Sequence, residues 1–358
     1  MVATYNICFC IKEVRKLKEQ DEIIDFVIPW VDGNDVEWQK EKAKYDTSKN
    51  ITVNNTNERY RDWDNLQYWF RAVEKYAPWV HKIYFITWGH IPKWLNTDNP
   101  KLVIVNHKDY IPEEYLPTFS ANPIELNFHR IKSLTEQFVY FNDDMFLVNP
   151  TKPTDFFKNG KPCDSAILNV HCPNKVESIY DMQINNVRII NSHFDMKKNM
   201  REHKSNWFNH KYSLFHNAQN LVFSSCRRYP GFQPLHVCNA FLKRTYKEVW
   251  AKEFEALDMT SRRKFRSPLD VNQWLFKDWQ IASNNFIPSN KSKISKALYI
   301  STFSKEERVK QVKKVFFSRK YKFTCINDGN LGDEFESTKE AINGLFKKKF
   351  PEKSSFEK

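Results

Sequence analysis

Phe138-Val139-Tyr140-Phe141-Asn142-Asp143-Asp144 is the stretch whose reading decides the fold. Its four apolar and aromatic residues run without a polar break, the pattern of a strand buried on both faces inside an α/β sheet. The run stops abruptly at an amide and two carboxylates. They sit where a buried strand emerges at its C-terminal edge, the edge at which open α/β sheets bind ligands. Two adjacent carboxylates beside an amide oxygen are hard donors suited to Mg²⁺ or Mn²⁺, particularly when a substrate diphosphate supplies the remaining ligands. The plainer alternative is that one Asp caps the next turn and the other is solvated.

Upstream, Ile23-Ile24-Asp25-Phe26-Val27-Ile28 is a second β-prone run, delivering the turn Pro29-Trp30-Val31-Asp32-Gly33-Asn34-Asp35. Asp32, Asn34 and Asp35 occupy the same kind of strand end as Asp143 and Asp144, although an Asp-Gly-Asn-Asp cluster is first of all good turn chemistry. Residues 39–58 are polar and Asn-rich and read as a loop. Asp62 or Asp64 then caps a helix with Leu66, Trp69, Phe70, Val73 and Tyr76 at helical spacing, ended by Pro78. Strands at Lys82–Thr87 and Leu102–Val105 and a helix through Ile124–Glu136 complete a strand, helix, strand, strand, helix, strand rhythm. That rhythm predicts a Rossmann-like mixed α/β sheet flanked by helices. Farther on, Ala240–Phe254 and Leu269–Trp279 read as helical, and 286–325 as basic with scattered β-prone pieces.

The chain has 358 residues, 41% of them hydrophobic and 15% aromatic, which excludes a disordered protein. Only 7 are Gly, and their spacing permits neither G-x-G-x-x-G nor a P-loop, so a phosphate would have to be held by side chains or a metal. The net charge of +13 is unevenly placed. Residues 1–150 hold 18 Lys/Arg against 22 Asp/Glu and are slightly acidic; residues 151–358 hold 38 against 21 and are strongly basic. A basic half suits an anionic partner such as nucleic acid, a membrane surface or a phosphorylated substrate, or is simply a solvated surface. The 7 Cys contain no C-x-x-C pair, and their scatter favours reduced thiols in a cytoplasmic protein. The N-terminal 22 residues read as an extension without signal-peptide character. No window approaches a membrane span, so membrane contact would be peripheral.

Two further groups could carry chemistry. His236 lies in an apolar setting, where a lone His is either a satisfied core residue or a functional one. Arg262-Arg263-Lys264-Phe265-Arg266 is a cationic cluster, and a guanidinium is the natural bidentate donor for phosphate oxygens. Glu125 and His129, four residues apart, are explained as a helical i, i+4 pair.

In this order, these segments resemble the regions of the Stealth family of sugar-phosphate transferases, which includes bacterial capsular polysaccharide phosphotransferases and the catalytic subunit of the animal GlcNAc-1-phosphotransferase. IDFVIPWVDGNDVEW (24–38) is similar to the first region. RYRDWDNLQYWFRAVEKYAPWVHKIYFITWGHIPKWL (59–95), LPTFSANPIELNFHRI (116–131) and FVYFNDDMFL (138–147) are similar to the second. QPLHVCNAFLKRTYKEVW with FRSPLDVNQWL, within 233–275, resembles the third, and FPEKSSFEK (350–358) the short fourth.

The resemblance implies one Stealth-type catalytic domain over 23–358, with an α/β nucleotide-sugar half (23–147), an insertion (148–232) and a helical, basic half (233–358) completing the site. The fold it implies is glycosyltransferase-A-like. The implied reaction moves a hexose or HexNAc 1-phosphate from a nucleotide diphosphosugar, expected to be a UDP-sugar, to an acceptor sugar hydroxyl. A phosphodiester forms and the nucleoside monophosphate leaves. Carried over by position, Asn142, Asp143 and Asp144 would hold Mg²⁺ or Mn²⁺. His236 becomes the leading general base, with Asp143 or Asp144 as the rival, and Arg266 would clamp the phosphoryl group with Asp270 orienting it. Asp32, Asn34, Asp35, Arg59, Trp88, Ser120, Glu125, His129, Arg130 and Asp270 form the implied substrate-binding set.

The compact chain departs from animal members by reading Thr87-Trp88-Gly89-His90-Ile91-Pro92 where they have T-N-G-Q-I-P, and by carrying Gln67 in place of an Arg. It resembles the bacterial form, whose acceptor would be a growing capsular or exopolysaccharide or a lipid-linked oligosaccharide. A conventional metal-dependent glycosyltransferase using the same acidic strand end is the rival enzyme reading. A nucleic-acid-binding protein explains only the Lys/Arg-rich 291–323 segment, so nucleic acid is not the expected partner. Docking to an anionic membrane surface or glycan is the preferred use of that basic segment.

Overall fold

The strand β1 (Ile24–Pro29) buries every side chain from Ile24 to Ile28, including one carboxylate, Asp25, which faces His81 and accepts the Lys82 and Thr135 N–H groups. The computed structural model describes residues 23–46, 60–172 and 179–358. The N-terminal extension and Arg59 lie outside them. β1 pairs in parallel with β2 (Ile83–Thr87) on one side and with β4 (Gln137–Tyr140) on the other; β2 pairs in parallel with β3 (Leu102–Asn106). β8 (Asn239–Leu242) adds antiparallel to β4, giving the order β3-β2-β1-β4-β8. The chain winds outward through β1, β2 and β3, then returns to start β4 beside β1. The crevice between the ends of β1 and β4 is therefore a topological switch point.

Both faces of this sheet are covered. Phe26 and Ile28 point into one core with Trp69, Phe70 and Phe141, while Val27 points into the other with Tyr84, Phe138 and Trp279. The first core includes Phe346, Phe350 and Phe356, so the C-terminal residues close over helix Leu66–Tyr76.

Directly after the acidic pair, β5 (Met145–Leu147) leaves the main sheet and pairs antiparallel with β11 (Phe323–Asn327), which pairs in parallel with β10 (Ser295–Tyr299). This second sheet brings the end of β11 beside Asp144. Small strands β6 (Phe157–Lys158), β7 (Lys161–Asp164) and β9 (Ile287–Pro288) form a third sheet. The described part of 148–232 also carries helices Ile179–His193, Met196–Glu202, Lys204–Trp207 and Leu214–Phe223.

Several sequence expectations shift. Asp35 caps a helix Val36–Tyr45 by accepting the Trp38 N–H, so the expected loop over 39–58 begins as helix. Helix Leu66–Tyr76 forms as its spacing predicts, but its N-cap is Asn65; Asp62 instead accepts the amide of Asp64, whose φ is 49°. The helix expected through 124–136 is Ala121–Leu126 followed by a 3₁₀ turn Phe128–Arg130, because Asn127 folds back on Pro123 O and ends it. The segment 240–254 opens as β8, drawn into the sheet by β4, before helix Lys243–Lys252. The later helix runs Trp274–Ala282, since Asp270 accepts the Ser267 N–H and holds 267–270 in a turn.

The basic 291–323 segment is less exposed than its composition suggests. Lys291 and Arg308 are buried on Asp164 and Glu334, and Lys322 pairs with Asp155.

Candidate active site

A cleft of about 730 Å³ opens at the switch point. Its floor is the end of β4, where Asn142, Asp143 and Asp144 emerge. Trp30 from the end of β1, Arg61, Asp62 and Trp63 before helix Leu66–Tyr76, and Asn327 and Asp328 at the end of β11 form its walls. His236, Glu125, Arg266 and Trp274 complete it.

The groups at the floor form one network. Tyr140, whose backbone lies in β4, sets its buried hydroxyl against Glu125 Oε1 at 2.5 Å and against Asn142 Oδ1. Asn142 Nδ2 lies 3.4 Å from His236 Nε2. The other ring nitrogen, Nδ1, faces Cys325 Sγ at 3.8 Å. The Cys325 thiol donates to Asp144 Oδ2 at 3.1 Å, and Asn327 Nδ2 donates to the same oxygen at 3.2 Å. With Asn142 Nδ2 as donor, His236 carries its proton on Nδ1 and keeps the Nε2 lone pair, which lies 4.0 Å from Asp144 Oδ2.

Electrostatically the floor is overloaded with negative charge. Asp143 is open to the cleft yet recessed in protein, and that desolvation, with the charges of Asp144, Asp62 and Asp328, pushes its carboxyl up to about 7. Burial also raises Asp62. Glu125 is pushed up to about 7 by burial, against the opposing pull of the Tyr140 hydrogen bond and the nearby Arg266 cation. Only part of the repulsion is relieved by protein cations: Arg61 pairs with Asp328 at 2.9 Å and stacks 3.9 Å over Phe335.

These donors fit a hard divalent cation. Asp144 Oδ1 is buried with no hydrogen-bond partner among the described residues, and four further carboxylates, Asp62, Glu125, Asp143 and Asp328, converge on the same cleft. Asp144, His236 and Cys325 also bring ligand atoms within 4.8 Å of one another, a set that would suit a softer metal. Burial and the Asp144 charge push the Cys325 thiol well above its ordinary range, and it donates a hydrogen bond to Asp144.

Of the residues singled out from sequence, Glu125, Asn142, Asp143, Asp144, His236 and Arg266 meet in the cleft. Arg59 lies outside the described residues, and the others do not line the cleft. Asp32 accepts the Asn34 amide within an exposed turn, its own N–H donates to His90, and Asp35 is the helix cap. Trp88 packs beside His90 and the Trp38–Phe119–Phe265 cluster. Ser120 caps helix Ala121–Leu126. His129 is not paired with Glu125: it packs on Tyr246 and Trp250, and burial pushes its imidazole down to about 3. Arg130 lies over the Trp250 ring. Asp270 is fully buried and takes Arg263 at 2.8 Å and Asn122 at 3.0 Å as partners. Its hold on Ser267 N–H fixes the turn that follows Arg266.

Missed in the sequence were Arg61, Asp62, Trp63, Cys325, Asn327 and Asp328. A signal existed for the last group. Asp328-Gly329-Asn330 after the apolar run of β11 repeats the Asp32-Gly33-Asn34 pattern after β1.

Fold and site together define an α/β protein with a carboxylate-lined polar cleft at a switch point between parallel strands. The chain belongs to the Stealth family: residues 23–50 match Stealth protein conserved region 1 and residues 59–164 match conserved region 2. It is 44% identical over 338 residues to a capsular polysaccharide phosphotransferase WcwK of Streptococcus pneumoniae, spanning 94% of this chain and 98% of that protein. It is 41% identical to the receptor polysaccharide phosphotransferase WefC of Streptococcus oralis, over 93% and 99% of the two chains. Identity to the exopolysaccharide phosphotransferase cps2G of Lactiplantibacillus plantarum is 38%, over 94% and 96%. Among solved structures, apo mouse xyloside xylosyltransferase 1 aligns over 85% of this chain and 98% of that one, with a TM-score of 0.32 and 11% identity.

Proposed function

We propose that this chain is a polysaccharide phosphotransferase that moves a hexose or HexNAc 1-phosphate from a nucleotide diphosphosugar to an acceptor sugar hydroxyl. The observation that carries the reading is the convergence of Asp143, Asp144, His236 and Arg266 on one cleft, in a chain similar throughout its length to polysaccharide phosphotransferases. In the reaction, the acceptor oxygen attacks the sugar-bearing phosphorus. The bond from that phosphorus to the bridging oxygen breaks, and the nucleoside monophosphate departs with the bonding pair.

His236 Nε2 takes the hydroxyl proton, the acceptor hydroxyl displacing the 3.4 Å Asn142 amide contact from that single lone pair. Asn142 is a positioning residue, which holds the ring before the acceptor arrives and whose oxygen already faces Tyr140. Asp143 and Asp144, with Asp62 or Asp328 beside them, would hold Mg²⁺ or Mn²⁺, which supplies charge neutralisation on the diphosphate. Arg266 binds the transferred phosphoryl oxygens, where a guanidinium offers two parallel donors. Trp30, Trp63 and Trp274 offer faces for the sugar or a base such as uracil.

The antiparallel β8 beside four parallel strands supports a glycosyltransferase-A-like reading of the sheet. Among the described residues, no helix is long and apolar enough to cross a membrane. Cys163, Cys172, Cys226, Cys238 and Cys325 are free thiols, which supports a reducing, cytoplasmic setting for the reaction. The acceptor is then a growing polysaccharide or a lipid-linked oligosaccharide.

A panel of nucleotide sugars, scored for the nucleotide released, tests the proposal. Metal-dependent release of a nucleoside monophosphate is expected, falling about 100-fold or more in folded Asp144→Ala and His236→Ala variants. Release of a nucleoside diphosphate would mean glycosyl transfer instead.

A further inference from the structure

Helix Leu214–Phe223 is built inside out. A surface helix of a soluble protein turns its apolar stripe inward and its polar residues to water. Here the inward face is polar. Asn220, fully buried, accepts from the Leu168 amide and donates to Ala166 O and Trp207 O, and Gln219 donates to Leu168 O. Asn217 bonds Asn209 and Ser213. The outward face holds Leu214, Phe215, Ala218, Leu221 and Val222, which at helical spacing span an arc of about 120°. All five are exposed, Leu214 at 91% and Phe215 at 73%. The buried amides fix this orientation, because rolling the helix to hide the leucines would strand Asn220 and Gln219 without partners.

The charge around this face is predominantly positive. Residues 196–228 carry seven Lys/Arg and a single acid, Glu202. Lys197 sits at the C-terminal end of the helix, its Nζ on Ser224 O and Ser225 O. Lys211 lies just before the helix, and Arg227 and Arg228 just beyond it, all exposed. The helix is also tied to the cleft. Its bond to Leu168 anchors the 166–172 segment, whose His171 ring lies 6.3 Å from that of Tyr180, next to the cleft-lining Ile179.

We propose that this face docks the protein on an anionic lipid bilayer, with Leu214, Phe215, Leu221 and Val222 entering the interface and the flanking cations meeting lipid phosphates. A second copy of the chain fits the surface poorly, because a symmetric contact would set one cationic rim against another without acidic partners.

The test is vesicle flotation of the full chain, which reads lipid binding without reference to the transfer reaction. Vesicles of phosphatidylcholine alone are compared with vesicles containing an anionic phospholipid. The protein is expected to float with anionic vesicles, less so as salt rises. The triple variant Leu214→Ser, Phe215→Ser, Leu221→Ser should lose binding at least tenfold while melting as the parent does. Phe215→Ser alone, the milder change, should weaken binding in the same direction. Equal binding to neutral and anionic vesicles, or unchanged binding by both variants, would overturn the proposal. So would a wild-type dimer that ignores vesicles and that the triple variant dissociates, since the face would then belong to a second copy.

Discussion

Replacing Glu357 by Gln should loosen the C-terminal clasp that holds helix Leu66–Tyr76 in place. Glu357 accepts two parallel bonds from Arg71, 2.8 Å from Nε and 2.6 Å from Nη2, and two more from Ser354, at 2.9 and 3.0 Å. The Glu357 side chain is only 5% exposed and that of Arg71 12%. Beside this pair Phe356 is buried against Phe70, and the Arg71 guanidinium also reaches Phe350 O. Removing one partner of a buried ion pair costs about 3–5 kcal/mol, and the lower figure applies because Gln keeps the shape and some bonds. With an unfolding entropy of about 2.1 cal/mol/K per residue, a chain of 358 residues loses about 4 °C of Tm for 3 kcal/mol.

The pH dependence gives a second check on the clasp. Burial pushes the Glu357 carboxyl up, but the Arg71 and Ser354 bonds outweigh it and hold the group below the usual carboxylate range. The contribution is therefore present above the ordinary Glu value and is lost as pH falls through the lower folded one. Calorimetric melts should show the full gap between variant and wild type at neutral pH, closing in acid. A Glu357→Gln variant melting within about 1 °C of wild type at neutral pH would refute the reasoning.

Glu125→Gln should stabilise the protein only at higher pH. Since burial raises the folded value to about 7, wild type loses stability as pH climbs from the ordinary Glu range to that point, by about 3 kcal/mol, and the Gln variant does not. Melts at pH 5 and pH 8 should show the variant's advantage at the higher pH alone. Gly33→Ala would put a Cβ 1.9 Å from Tyr60 O, displacing the segment that carries Arg61, Asp62 and Trp63 into the cleft; steady-state rates should fall by about 100-fold. His129→Leu, in contrast, should leave turnover within about twofold, because His129 packs on helix Lys243–Lys252 away from the cleft; a large drop in kcat would return it to the site. Without divalent cation, Asp143→Asn should raise Tm at pH 8, where the wild-type carboxylates repel, and Mg²⁺ should stabilise wild type more than this variant.

The inner strands were legible because burial on both faces makes their runs almost wholly apolar, Asp25 being the one polar residue within Ile24–Ile28. Phe138–Phe141 and Ile24–Ile28 could be little else, and the residues that end them followed directly. Segments whose state depends on a distant partner were not legible. Asn239–Leu242 becomes strand only because β4 offers an edge, and its local pattern reads equally well as the first turn of a helix. The same holds for the site. Asp143 and Asp144 could be read from their own strand, whereas Cys325, Asn327 and Asp328 reach Asp144 only through the pairing of β5 with β11, some 180 residues away in sequence. His129 and Ser120 misled for the opposite reason: polar residues inside a motif are as readily used to pack or cap as to bind.

The most direct test of the transfer reaction follows the sugar-bearing phosphorus. With a donor labelled with ³²P at the β position, the cleft chemistry sends the label into the acceptor as a phosphodiester, and the nucleoside monophosphate leaves unlabelled. Label retained in a nucleoside diphosphate while unlabelled sugar enters the acceptor would contradict the account.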